Sequence, residues 1–476
     1  MDNRDFRKHA HQLVDWMADY LEQKENYPVT PDIKPGEIYD KFPDKAPEDP
    51  ATFDEIFADF EEVILPGMTH WQHPMFFGYF PANTSAPSIM AEMLMSTLGA
   101  QCMSWLTSPA ATELEERVVN WLRDAKGLNS TWKGVIQDTA STATLCAILA
   151  ARERASKFSV NEKGFCGQEK FRVYSSEHAH SSVDKAMRIA GLGHQNLVKI
   201  PVDTSFAMIP EALESAIEAD IQNGFTPLCV VSALGTTSSA AIDPIGEIGK
   251  LAARFEMWHH IDAAYAGTAL LLPEFRWMIE GHELADSYVF NPHKWMFTNF
   301  DCSVLFVKNA DDLVHTFSMT TEYLKTDQDE HVHNYRDWGI QLGRRFRALK
   351  LWWVIRSYGL AGIREKLRGH IRHTKLAKKW IENEENVIVE TASVLNVICF
   401  RFVEKSLSTP QQNAFNKAWM DGVNASGKVF FTSTILNGAF VIRWVIGQTD
   451  VKREHVLMAC DCLKSELETV KRVFTI

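Results

Sequence analysis

The chain has 476 residues, 46% of them apolar and 23% charged, and carries a formal net charge of −12. A chain of this length buries a large core and divides into more than one unit, and its acidic balance argues against nucleic acid or an anionic membrane as partner. The eight cysteines are scattered, and Cys460 and Cys462 have the wrong spacing for a zinc site, so reduced thiols, no bound metal and a cytoplasmic location are expected.

The opening MDNRDFRKHAHQLVDW is charged throughout and lacks the apolar stretch of a secretory signal. No later segment reaches the ~20 apolar residues that span a bilayer. Phe6, Leu13, Val14, Met17, Tyr20 and Leu21 recur close to helical spacing, which predicts a helix over residues 4–23. Six prolines from Pro28 to Pro50 then exclude regular helix. A helix and an extended arm of this kind rarely fold alone, and fit better wrapped on another surface such as a second subunit.

From about residue 86 to 320, short β-rich runs alternate with helical stretches. The expected strands are 134–137, 171–176, 197–201, 228–234, 257–262, 287–291 and 303–308, with a helix over 141–155. Continuous apolar strands separated by helices predict an α/β fold with a mostly parallel sheet. A long helix is expected over 344–359, and then the pattern turns to mixed elements, including strands at 396–402 and 439–447. Three segments follow: an N-terminal helical and extended arm (1–85), a large α/β domain (86–360) and a small α+β domain (361–476).

In open α/β sheets ligands gather beyond the carboxyl ends of the strands. DTASTATL (138–145) follows a strand and opens a helix, so its backbone N–H groups and the Ser141 hydroxyl can face a phosphate, although Ser and Thr there also serve as plain caps. SSEHAHSS (175–182) places two histidines after a strand; hydrogen-bonded structural roles suit either, and His178 most. LGTTSS (234–239) offers Thr236 and Thr237. HHIDAAYAG (259–267) ends a strand in Asp262 followed by small residues, which admit a flat ligand. A carboxylate in such an apolar run requires a partner. A bound cation or a protonated ring nitrogen would serve. In NPHKW (291–295), Lys294 stands at the end of an apolar strand, where a lysine must be paired, neutralised or covalently used, while Trp295 reads as core packing. A phosphate seat, an aspartate for a ring nitrogen, a flat small-residue face and a strand-end amine for a Schiff base together describe pyridoxal 5′-phosphate.

The sequence resembles the group II pyridoxal-phosphate decarboxylases, specifically the aromatic L-amino-acid decarboxylases. The resemblance rests on HWQHPMFFGYFPA (70–82), SWLTSPAATELE (104–115), GVIQDTASTATL (134–145), HAHSSVDKA (178–186), LGTTSSAAIDP (234–244), HHIDAAYAG, PEFR (273–276), NPHKW and LGRRFRALKLW (342–352). It implies a fold-type I, aspartate aminotransferase-like enzyme that converts aromatic L-amino acids to amines and carbon dioxide, working as a homodimer with a shared active site. It assigns the cofactor's aldehyde to Lys294, its pyridine nitrogen to Asp262 and its ring face to His180. Ala140, Ser141, Asn291 and His293 hold the phosphate end, and Thr237 and Ala264 line the cofactor. Trp71, Tyr79, Phe80 and Pro81 match the substrate pocket, with Met103 at its edge. Gly343 matches a position that tends to be glycine where indoles fit and serine where phenolic or imidazole substrates are preferred. Tyr323 matches the mobile-loop tyrosine that protonates the substrate's Cα. Met103, Ala82 and Thr142 depart from the family pattern, and the first two bear on side-chain preference.

Three other readings compete. An aromatic acetaldehyde synthase typically lacks the loop tyrosine or the stacking histidine, and both stand here. An aminotransferase clamps the substrate carboxylate with a small-domain arginine, a role for which Arg443 could be mistaken. A silent binding homologue would be favoured by loss of Lys294, Asp262 or Tyr323, and all three are intact.

Overall fold

The apolar runs become seven strands in the computed structural model, which describes residues 2–165, 167, 170–319, 332–391 and 394–475. They are β1 (Lys133–Gln137), β2 (Phe171–Ser176), β3 (Leu197–Ile200), β4 (Thr226–Ala233), β5 (Trp258–Asp262), β6 (Ser287–Phe290) and β7 (Ser303–Val307). Their order across the sheet is β1-β7-β6-β5-β4-β2-β3. Strands β3, β2, β4, β5 and β6 are parallel, whereas β7 runs against both β6 and β1. Since β7 reverses twice, β1 points the same way as β6. The carboxyl ends of β1, β4, β5 and β6 therefore share one edge of the sheet.

Alternation along each strand sends side chains to two covered faces. On one face Val135, Val173, Val231, Val289 and Leu305 pack against Ala143, Cys146, Ile148 and Ala150 of the helix Ala140–Ala155. On the other, Tyr174 and Val230 meet Leu213, Ile217, Ile248 and Ala252 from the helices Pro210–Gln222 and Ile245–Arg254. Each fully buried Val, Leu or Ile contributes about 1.5–3 kcal/mol, so this double layer holds the carboxyl edge rigid.

Two compact units emerge. The larger comprises residues 82–374 and 390–399; the smaller comprises 1–81, 375–389 and 400–476. The N-terminal stretch and most of the C-terminal stretch are thus counted to one unit. A second sheet, of four strands, has the order β10-β11-β9-β8, with β8 (Val387–Val389), β9 (Val397–Phe402), β10 (Thr432–Leu436) and β11 (Ala439–Val445). The expected helix at 344–359 is found as Arg347–Asn383, broken at Gly359, whose φ of 61° suits glycine. Among the described residues no helix is long and apolar enough to cross a membrane, and no group of three His, Cys, Asp or Glu is placed to hold a metal ion.

Candidate active site

The register pairs Asp262 with Ala233 of β4 and Val289 of β6, which sets it in the middle of the carboxyl edge. Its Oδ1 accepts the Ala264 N–H at 3.0 Å. Strand β4 arrives beside it, and the Leu234 N–H donates to the Asp262 carbonyl at 2.9 Å. The loop that follows β4 lies against the loop that follows β5. A Cβ at Gly235, where φ is +86°, would stand 2.7 Å from the Ala266 Cβ, so glycine is required both by conformation and by space. Beyond it Thr236 is buried and bonded to Ser239 at 2.8 Å, while Thr237 stays exposed.

Strand β6 delivers Lys294. After Phe290 the chain enters a single helical turn, Pro292–Trp295, with proline at a position where no N–H is needed. The Asn291 N–H donates to the Ala264 carbonyl at 2.9 Å, and the Lys294 N–H to the Asn291 carbonyl at 3.0 Å. The Asn83 side chain donates to the Lys294 carbonyl at 2.8 Å, so the lysine backbone is held from two sides. Trp295 is fully buried, stacked on Tyr265 at 5.2 Å, as its reading as core packing expects. His293 is buried too, and the Cys302 N–H donates into its Nδ1 at 2.8 Å. The ring proton therefore resides on Nε2. Burial, then the neighbouring Lys294 charge, pushes the His293 pKa down to about 3, so its ring is neutral.

The anion seat is joined to this cluster through β7. Ser303 donates to Asn291 Oδ1 at 2.7 Å and pairs in register with Gln137, the last residue of β1. Three residues later the helix Ala140–Ala155 begins, with Thr139 as N-cap. The first-turn N–H groups of Ala140 and Ser141 have no acceptor inside the helix and face outward at its positive end.

His180 lies beyond β2, and its Nδ1 accepts the Ser182 N–H at 3.1 Å. Much of the ring faces solvent in the isolated chain. Desolvation by its neighbours, with Lys294 and Lys185 adding to it, lowers its pKa, and Asp262 pulls the other way. His180, Asp262 and Lys294 thus share one electrostatic neighbourhood.

The segments that carry Met103 and Gly343 are joined at the end of β1 through their neighbours. The Cys102 N–H donates to the Arg344 carbonyl at 2.9 Å, the Arg344 N–H to Gln101 Oε1 at 2.7 Å, and Arg344 Nη2 to the Ile136 carbonyl at 2.8 Å. Gln341 Nε2 reaches Asp138 Oδ2 at 3.4 Å, beside the anion seat. Trp71, Tyr79, Phe80 and Pro81 belong to the smaller unit. There Trp71 packs 4.5 Å from Phe76 and stacks on Tyr79 at 5.6 Å. Arg443 donates to the Tyr79 carbonyl at 2.7 Å and lies 4.6 Å from the centre of the Phe80 ring, contacts that hold this aromatic group. Tyr323 lies outside the described residues.

Several positioning residues carry no local sequence signal. Asn83 is one, and His260 is another: Trp258 Nε1–H donates to Ser287 Oγ at 2.8 Å, and His260 Nδ1 is hydrogen-bonded to the same oxygen, also at 2.8 Å. His260 Nε2 then faces Thr144 Oγ1 at 3.3 Å, tying β5 to the seat's helix. The alternation of the strand puts His260 on the same face as Asp262.

An anion seat of outward N–H groups, a carboxylate at the centre of the edge, a flat run of alanines and a strand-end amine fit pyridoxal phosphate. Residues 35–403 match the family model described as pyridoxal-dependent decarboxylase conserved domain. The chain is 40% identical to "Tryptophan decarboxylase 2" of Oryza sativa subsp. japonica, covering 99% of this chain and 96% of that one. It is also 40% identical to "Phenylacetaldehyde synthase" of Arabidopsis thaliana, covering 98% and 96%. The crystal structure of Oryza sativa TDC with PLP and tryptamine superposes with a TM-score of 0.96 at 33% identity, covering 98% of this chain and 99% of that one. The chain belongs to the pyridoxal-dependent decarboxylases.

Proposed function

We propose, with that membership as premise, that the chain removes the carboxyl group of aromatic L-amino acids and releases the corresponding amines. The convergence of Lys294, Asp262 and His180 beside the Ala140–Ser141 helix start carries this reading. Pyridoxal phosphate, when bound, supplies an electron-withdrawing ring that accepts the electron pair left at Cα as carbon dioxide departs.

The chain's own residues do the rest. The N–H groups of Ala140 and Ser141, with Asn291 and His293 nearby, hold the phosphate; the neutral His293 donates from Nε2 and adds no charge. The half-buried Asp262 carboxylate would face the pyridine nitrogen and favour its protonated form, since opposite charges compensate each other there. Ala264 and Thr237 line the cofactor, and His180 covers its ring. Lys294 Nζ would hold the cofactor at its aldehyde. Met103 and Gly343 receive the substrate's ring, and Trp71, Tyr79, Phe80 and Pro81 match the family's substrate-pocket pattern. The Tyr323 phenol delivers a proton to Cα, which makes the product an amine.

Replacing Lys294 by alanine tests the assignment. Turnover on tyrosine, DOPA, tryptophan and 5-hydroxytryptophan should vanish while the fold persists, and borohydride reduction of the wild type should fix the cofactor to Lys294. Label on another lysine would overturn it. The acetaldehyde synthase among the relatives motivates a second reading, in which air oxidation yields an aldehyde. Tyr323 and His180 favour the amine, and assays for hydrogen peroxide and aldehyde separate the two.

A homodimer fits the surface. The helix Asn3–Gln23 has no buried residue, and the helix Ala86–Leu98 exposes Met90, Met93, Leu94 and Leu98 at 40–65%, faces that a second copy would cover. Light scattering that finds fully active monomers would exclude it. Cytoplasmic residence fits the described cysteines, which are not joined in disulfides, and cell fractionation checks it.

A further inference from the structure

We infer that Gln101 is a specificity-determining residue that selects substrates bearing a hydroxyl on the aromatic ring. The inference rests on the reading of Met103 and Gly343 as substrate-pocket residues.

Gln101 follows the helix Ala86–Leu98, which ends at Gly99 in the left-handed region. Its Oε1 accepts the backbone N–H of Arg344 at 2.7 Å. That partner can only donate, so the oxygen of the amide must face Arg344 and the NH2 group must face away. A Cβ built on Gly343 would stand 3.3 Å from Gln101 Nε2 and 3.9 Å from its Oε1. The amide nitrogen therefore overlooks the space that the missing side chain at 343 leaves open. A cavity of about 380 Å³ lies there, with Met95, Gly99, Ala100, Gln101, Gly343 and Phe346 among its walls. Among the described residues no acceptor engages the Gln101 NH2 group.

The anchor of this amide is rigid. Arg344 is buried, its guanidinium pairs with Glu115 at 2.6 Å, and its carbonyl takes the Cys102 N–H. The amide of this exposed side chain is thus oriented through its oxygen before any ligand arrives, which lowers the cost of ordering it on binding. A bare phenyl or indole ring offers the NH2 group no acceptor. A phenolic or 5-hydroxyindole oxygen does, and one neutral hydrogen bond is worth about three- to tenfold in an equilibrium or a rate constant.

The test compares kcat/KM for tyrosine against phenylalanine, and for 5-hydroxytryptophan against tryptophan, in the wild type, Gln101→Leu and Gln101→Met. Both variants keep the volume and remove the donor. The hydroxylated member of each pair should lose about three- to tenfold relative to its bare counterpart. On the wild type, 3-(4-hydroxyphenyl)propionate should inhibit more tightly than 3-phenylpropionate by a similar factor, a readout that survives if neither variant folds. Equal inhibition by the two acids, or unchanged substrate ratios in folded variants, would overturn the inference. A wild type that decarboxylates none of the four amino acids would instead overturn the proposed function.

Discussion

Replacing Glu115 by glutamine removes one charge and almost no volume, at a point where water hardly reaches. The Glu115 and Arg344 side chains are 3% and 7% exposed and meet at 2.6 Å. Glu115 Oε1 also accepts the Ile136 N–H at 2.8 Å, so the pair fastens β1 to the corner that carries Gln101 and Gly343. A guanidinium does not lose its proton in proteins, and in Glu115→Gln it would remain charged beside carbonyls and the Tyr335 ring. Removing one partner of a buried pair costs about 3–5 kcal/mol, and since glutamine keeps an acceptor oxygen the lower figure applies, about 3 kcal/mol. The larger unit has roughly 300 residues, and an unfolding entropy of ~2.1 cal/mol/K per residue makes ~0.6 kcal/mol/K for it. The melting temperature should therefore fall by about 5 °C. Calorimetry of wild type and variant under one buffer checks this, with Glu115→Leu/Arg344→Met as a control that should recover most of the loss, because an apolar pair leaves no charge buried. A shift under about 1 °C in Glu115→Gln would refute the argument that this carboxylate compensates the guanidinium.

Tyr323→Phe should turn amine formation into release of aldehyde, hydrogen peroxide and ammonia in air, and an unchanged amine yield would show that another acid protonates Cα. Gly343→Ser should lower kcat/KM for indole substrates more than for tyrosine or DOPA, because its Cβ already sits 3.3 Å from Gln101 Nε2. Overpacking of about 1.4 kcal/mol gives roughly a tenfold difference, and equal losses would remove Gly343 from the specificity argument. Burial pushes the pKa of His73 and His260 down to about 4, and of His259 and His293 to about 3. Below about pH 6.5 the unfolded chain binds protons that these folded histidines refuse, so stability should fall from pH 6.5 towards 4, by at most ~1.4 kcal/mol per pH unit for each group. Asp243, raised to about 6 by burial, acts with the opposite sign between pH 6 and 3.8, one group against four. A urea midpoint higher at pH 5 than at pH 7 would contradict this balance.

The strand-end positions of Lys294 and Asp262 and the helix start at Ala140–Ser141 were legible because each depends on a short stretch of chain. A strand needs apolar alternation or continuity, a helix start needs small capping residues, and a charged residue at the end of an apolar run advertises a required partner. The partner contacts were not legible. Asn83 reaches the Lys294 carbonyl across 211 residues, Arg344 reaches Glu115 across 229, and Gln101 meets the Arg344 N–H across 243. Nor does any local pattern state that β7 runs against both β6 and β1, although that reversal alone brings the Ala140–Ser141 seat to the edge that holds Asp262 and Lys294. Local backbone geometry follows from neighbours a few bonds away, whereas strand order and side-chain partners are chosen by the packing of the whole core, where many distant residues compete for the same space.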